Sequence, residues 1–347
     1  MQRWLMRTAL AFAAAAMLVA ASAPDRSLLE KARQFFAPLP ADLATPDCPT
    51  TPARVALGRK LFFDSRLSLD GTVSCATCHH PALYGTDGLP TSIGVEHRAN
   101  ARNAPTVLNA ALQFRAHWLG DRANVEEQAM KSLVGPASFG NPDFAAVTRK
   151  IKAIPGYAAE FAATFPQDAE PVTPANWGRA IGAYERTLVT PSPFDAFLKG
   201  DAGALAARAD RGLGDFLDLG CAGCHNGVGV GGRSFQKFGI AADYWPATHS
   251  AKVDEGRFAI TKDAADKYVF KVPSLRNVAM TPPYFHDGSV AALPDAVRVM
   301  AKVQLDKILA EPQLDDLLAF LNSLTGELPK DFATEPVLAP QTFSANP

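Results

Sequence analysis

The chain has 347 residues, with 34 Lys and Arg against 35 Asp and Glu, a formal net charge of −1 and 48% hydrophobic residues. This balance leaves no basic footprint for nucleic acid, and the ordinary apolar content excludes a wholly disordered chain. The length exceeds what one hydrophobic core usually organises, so two domains are expected.

In chain order, Arg3 and Arg7 precede an apolar run from Ala9 to Ala20 that ends in Ala21, Ser22 and Ala23. A basic start, a short apolar core and an A-x-A-like end describe a cleavable export signal over residues 1–23. The run falls short of the ~20 residues a bilayer span needs, so the expectation is a soluble periplasmic protein, with an uncleaved anchor as the alternative. Cleavage would leave 32 basic against 35 acidic residues. Cys48 sits in TPDCPTTP, a linker or loop to which no role is assigned. ARVALGRKLFFD then shows apolar Val55, Leu57, Leu61 and Phe62 at mostly helical spacing, and SCATCHHP follows at 74–81. FAAVTRKIKAI, WGRAIGAYERTL, AGALAARADRGLGDFLDL and PQLDDLLAFLNSL are also expected to be helical. The stretches 81–105 and 226–250, rich in Gly, Pro and Asn, are expected as long loops. Pro191 and Pro193 in TPSPFDAFLKGD are expected to stop a helix and mark a hinge. Strand-type alternation is scarce. The fold class is therefore all-α: two domains over 24–190 and 191–330, then a Pro-rich tail over 331–347.

The chemistry concentrates in SCATCHHP and in CAGCH at 221–225. Two thiols separated by two residues can meet the two vinyl groups of one haem edge, and the histidine that follows lies under the macrocycle to bind iron. Zinc would draw four thiolates to one ion with no need of a paired histidine, and a redox CxxC needs no histidine either. Two such motifs in an exported chain predict two covalent haem c groups, on Cys75/Cys78 and Cys221/Cys224. His79 and His225 are then the proximal ligands. Disulfides within each pair are the alternative that the histidines oppose.

Four stretches together are more specific than CxxCH alone: GRKLFFDSRLSLDGTVSCATCH, RNAPTVLNA, CAGCHNG and VPSLRNVAMTPPYFHDG. Through them the chain resembles the bacterial di-haem cytochrome c peroxidases and their relatives that mature methylamine dehydrogenase. The resemblance spans almost all of the mature chain. It implies two cytochrome c-like domains, a peroxide-reacting haem in the first and an electron-entry haem in the second. It also implies a calcium ion between them, held by carbonyl groups of Asn103, Thr281 and Pro283. Trp118 resembles the family tryptophan between the haems; a packed core aromatic is the other reading.

The resemblance also places the sixth iron ligand. Of Met130, Met280 and Met300, which follow the signal, Met300 lies fourteen residues after His286 of HDG, where family peroxidases carry the methionine and the protein-oxidising relatives a tyrosine. Leu293, Ala296 and Val297 share its helical spacing, so a core methionine is the competing reading. At the first haem the family histidine after SIG is replaced by Val95; His97, His80 and His117 are candidate substitutes. Gln128 matches the family glutamine over peroxide, but Ser138 stands where the family places a glutamate. A hydroxyl is a poor proton shuttle near neutral pH, and Glu126 and Glu127 are the nearby acids.

The resulting expectation is a periplasmic oxidoreductase that reduces hydrogen peroxide, with electrons from a small cytochrome c or cupredoxin. Val95 favours peroxide-dependent oxidation of another protein or a small molecule, and Ser138 favours an electron carrier or sensor without turnover. Assembly as a homodimer stays open.

Overall fold

A computed structural model describes residues 26–338. The expected export signal lies outside the described residues, as do residues 339–347 of the tail. The described chain is mostly helical: α1 (Arg26–Phe35), α2 (Pro52–Phe63), α3 (Cys75–Cys78), α4 (Val125–Ser132), α5 (Phe144–Ala153), α6 (Tyr157–Thr164) and α7 (Pro174–Glu185) come first. After them come α8 (Pro193–Leu198), α9 (Ala207–Asp218), α10 (Tyr244–Thr248), α11 (Phe258–Thr261), α12 (Leu293–Leu305), α13 (Glu311–Asn322) and α14 (Lys330–Ala333).

The expectation of purely helical structure needs one correction. β1 (Phe235–Lys237) and β2 (Val269–Lys271) form an antiparallel ribbon, pairing Phe235 with Lys271 and Lys237 with Val269. Three-residue strands are too short for an alternating pattern to register, and β1 falls inside the stretch read as loop. The expected break at Pro191 and Pro193 also differs: Pro193 opens α8, where Ser192 and Asp195 form a capping box. Proline at a first helical position removes an amide that has no intrahelical partner.

Two large buried apolar clusters organise the described residues, beside a small third of Tyr284, Val290 and Ala296. One gathers Leu57, Leu61, Phe62, Leu133, Ile151, Phe161, Trp177 and Tyr184 from α2 and α4–α7. The other gathers Phe194, Leu213, Phe216, Leu317 and Phe320 from α8, α9 and α13. The ends of the described residues cross over. Phe36, just after α1, packs edge-on against Phe194 at 5.3 Å, and Phe332 of α14 packs against Phe62 at 6.0 Å. Glycine permits the closest helix contacts: a Cβ on Gly58 would reach Ala180 O of α7 at 1.9 Å, and one on Gly212 would reach Asp316 O of α13 at 1.8 Å.

Candidate active site

Both CxxCH motifs fold into the same local shape. At the first, the Ser74 N–H donates to Thr77 Oγ1 at 2.9 Å to open α3, and the His79 N–H returns to the Cys75 carbonyl at 2.9 Å. At the second, Gly220 at φ 87° opens a tight 3-10 turn over Cys221–Gly223, and the His225 N–H returns to the Cys221 carbonyl at 3.0 Å. One turn thus holds two sulfurs and an imidazole together. None of the four motif cysteines is in a disulfide.

Of the two imidazoles, that of His79 is anchored on its Nδ1 side. His79 Nδ1 lies 3.0 Å from the Gly85 carbonyl, which fixes Nδ1 as donor and leaves the Nε2 lone pair for a metal. Burial lowers the His79 pKa and pushes that of His225 down to about 4, so both rings are held in the neutral, ligating form. His225 Nδ1 is buried without a partner in hydrogen-bonding geometry. Gly231, at φ 119°, lets the backbone close on that edge: a Cβ there would meet Pro273 O at 2.3 Å and His225 Nδ1 at 3.2 Å.

A cavity of about 300 Å³ runs from Cys221, Cys224 and His225 to Thr86, Pro105 and Thr106, beside the first motif. Leu275, Val278, Leu293, Val297 and Leu317 give it apolar walls, and Met300 of α12 lines it as well. Met280 is 42% exposed and outside the lining, and Met130 packs against Gly178 of α7. An apolar slot with two thiols, an imidazole and a thioether fits a covalently attached haem. Trp118, Asn103, Thr281 and Pro283 line the same cavity. The Trp118 indole donates to the Asn103 carbonyl at 3.0 Å, and the Asn103 N–H donates to the His286 carbonyl at 2.8 Å.

The first site differs. Val95 is fully buried, its side chain filling the space over Gly140, where a Cβ would come within 2.4 Å of Val95 Cγ1. The Val95 N–H donates to the Ser138 carbonyl at 3.1 Å, which joins the two loops. His97 is exposed; His80 is exposed and caps the turn at 81–83 by accepting the Ala82 N–H at 3.2 Å. His117 Nδ1 lies 3.1 Å from Asp121 Oδ1. Gln128 and Ser138 are half-buried, on α4 and in its following loop. Both nearby acids are already engaged. Glu126 Oε1 accepts from Arg186 Nε at 2.7 Å, and Glu127 pairs with Lys131 at 2.5 Å and caps its own helix.

Sequence reading missed two buried ionisable groups here, because burial of a single charged residue has no local signature. Glu185 of α7 acts on Cys75; burial, then the charge of Glu126, pushes its carboxyl up to about 8. Lys271 of β2 lines the cavity.

Two haem-attachment turns in a mostly helical chain, one sharing a cavity with a methionine, define a di-haem c-type oxidoreductase. A family model described as di-haem cytochrome c peroxidase matches residues 52–203. The chain is 41% identical over 307 residues to a cytochrome c551 peroxidase of Pseudomonas aeruginosa, covering 88% of each. It is 36% identical over 291 residues to the methylamine utilization protein MauG of Methylorubrum extorquens, covering 80% of each. The crystal structure of a MauG-like protein associated with microbial copper homeostasis superposes with a TM-score of 0.75 at 30% identity, covering 86% of this chain and 97% of that one. The chain belongs to the di-haem cytochrome c peroxidase family.

Proposed function

We propose that this protein reduces hydrogen peroxide to water in the periplasm, with electrons from a small cytochrome c or cupredoxin. The observation that carries the reading is the asymmetry between the two sites. Met300 shares a cavity with His225, whereas the first site offers the inert side chain of Val95 at the position of the family ligand. Bound haem would supply two one-electron centres, one for electron entry and one for reaction with peroxide. Cys75, Cys78 and His79 would hold the first, and Cys221, Cys224, His225 and Met300 the second.

The remaining roles belong to this chain's own groups. The Gln128 amide orients bound peroxide, and the Ser138 hydroxyl offers a hydrogen bond where the family has an acid. Trp118, fixed at both its indole and its carbonyl, is the relay between the sites. Carbonyl groups of Asn103, Thr281 and Pro283 would hold calcium, a cation that takes neutral oxygens with water completing the shell. The two clusters serve as the two haem domains.

The test is peroxide-dependent oxidation of reduced cytochrome c, preceded by an intact mass. The mass must exceed the polypeptide by two haems. The open first site should bind cyanide in the oxidised protein without prior reduction. A two-haem protein that neither oxidises the donor nor consumes peroxide would overturn the reading in favour of an electron carrier. Kinship with MauG and the buried Val95 favour a second reading, peroxide-driven oxidation of another protein; peroxide consumption without donor oxidation would select it.

A further inference from the structure

Lys271, at the end of β2, is 5% exposed and lines the cavity. Its backbone N–H donates to the Trp118 carbonyl at 2.8 Å, and its ammonium donates to Gln113 Oε1. Gln113 packs on Gly232, where a Cβ would meet Gln113 Cγ at 2.6 Å; the preceding Gly231 closes on His225 Nδ1. The ammonium is therefore held on the His225 side of the cavity.

What this cation lacks, among the described residues, is a counter-charge. Gln113 is neutral, and burial alone pushes the Lys271 pKa down to about 8, with no acid acting on it. An ammonium out of water without an anion beside it is strongly unfavourable, and it persists where a partner completes the pair. No Asp or Glu is among the residues lining the cavity, so the anion has to arrive with whatever fills it. A haem brings two carboxylates.

We propose that Lys271, steadied by Gln113, is the counter-charge for a propionate of the haem attached at Cys221 and Cys224, and thereby a positioning residue that raises that haem's reduction potential. This rests on the haem assignment above. Reduction adds negative charge to the iron, and a fixed cation favours the added electron. Removing it leaves the propionate uncompensated and favours Fe(III).

The test is a spectroelectrochemical titration of the two-haem protein without peroxide, in wild type, Lys271→Met, Lys271→Arg and Gln113→Leu. Lys271→Met should shift the Fe(III)/Fe(II) equilibrium of the higher-potential haem at least tenfold toward Fe(III), about 59 mV for one electron. The other haem should stay where it was. Lys271→Arg should retain most of the wild-type potential, and Gln113→Leu should fall between. If Lys271→Met does not accumulate with both haems, Lys271→Gln carries the same expectation. Unchanged potentials, or a shift confined to the other haem, would overturn this inference alone. A wild-type potential that follows phosphate or chloride concentration would also overturn it, because the ammonium would then hold a solution anion. A chain without haem on Cys221 and Cys224 would overturn the haem assignment together with it.

Discussion

At the scale of the residue, the two iron sites differ by single side chains. Met300 lines the cavity of Cys221, Cys224 and His225, while Met280 faces solvent. Met300→Leu keeps the volume of the side chain but removes the sulfur. It should abolish the sulfur-to-iron charge-transfer band and lower the potential of that haem; Met280→Leu should change neither. On the proposed peroxide reading, Ser138 would leave the first site without a positioned acid there, while Glu126 and Glu127 pair with Arg186 and Lys131. A general acid–base group contributes about 10²–10⁴-fold to rate. Ser138→Glu should raise peroxide turnover within that range, with both haem spectra intact. A slower Ser138→Glu would point to another proton source, and Glu185→Gln would then be the variant to compare, given the elevated pKa of its buried carboxyl.

At the scale of the element, α9 contains its own control. Gly212 and Gly214 lie on the same helix, but a Cβ on Gly212 would meet Asp316 O at 1.8 Å, whereas one on Gly214 would meet nothing within 4 Å. Alanine in a helix interior is favoured over glycine by about 0.8–1 kcal/mol. Gly214→Ala should therefore stabilise the protein by roughly that amount in urea unfolding. Gly212→Ala has to push α13 away, and overpacking typically costs about 1–3 kcal/mol. The clash outweighs the propensity, so Gly212→Ala should be net destabilising. Two alanines two residues apart should move the unfolding midpoint in opposite directions.

At the scale of the whole molecule, one buried ion pair joins four distant parts of the chain. Arg276 grips Asp195 through two contacts of 2.9 Å and reaches the Val228 carbonyl at 2.7 Å; Asp195 also accepts the Leu39 N–H at 2.8 Å. Next to it, Thr190 Oγ1 accepts from Asn109 Nδ2 at 2.7 Å and from Asn277 Nδ2 at 2.9 Å, tying the segment between the two clusters to both sides. Removing one member of a buried pair leaves an uncompensated charge, so Arg276→Met should cost about 3–5 kcal/mol. Burial alone would raise the Asp195 pKa, but the hydrogen bonds and charge of Arg276 overcome it and hold the carboxyl below its ordinary 3.8. A depressed folded pKa means stability that is present above the unfolded value and lost as pH falls through the folded one. Wild type should therefore lose stability below about pH 4, and Arg276→Met should lose less over the same range. An equally steep acid limb in the variant would show that Asp195 draws its stabilisation from elsewhere.

Much of the site was legible in the chain because its chemistry is local. A CxxCH turn needs only consecutive residues, so Cys75, Cys78, His79, Cys221, Cys224 and His225 could be named from spacing. The helices α2, α5, α7, α9 and α13 follow from apolar periodicity, which reports a buried face before its partner is known. Spacing could not choose between Met280 and Met300: each sits among apolar residues, and it is family resemblance that favours Met300, which lines the cavity while Met280 is exposed. Nor could it find the ribbon of β1 and β2, the crossing of Phe36 and Phe332 into opposite clusters, or the tie between Arg276 and Asp195. Each of these joins residues far apart in the chain, and nothing in either local segment records its distant partner. Glu185 and Lys271 show the same limit most plainly. Their sequences read as ordinary charged positions, and what sets their properties is loss of water, which only the packed tertiary structure imposes.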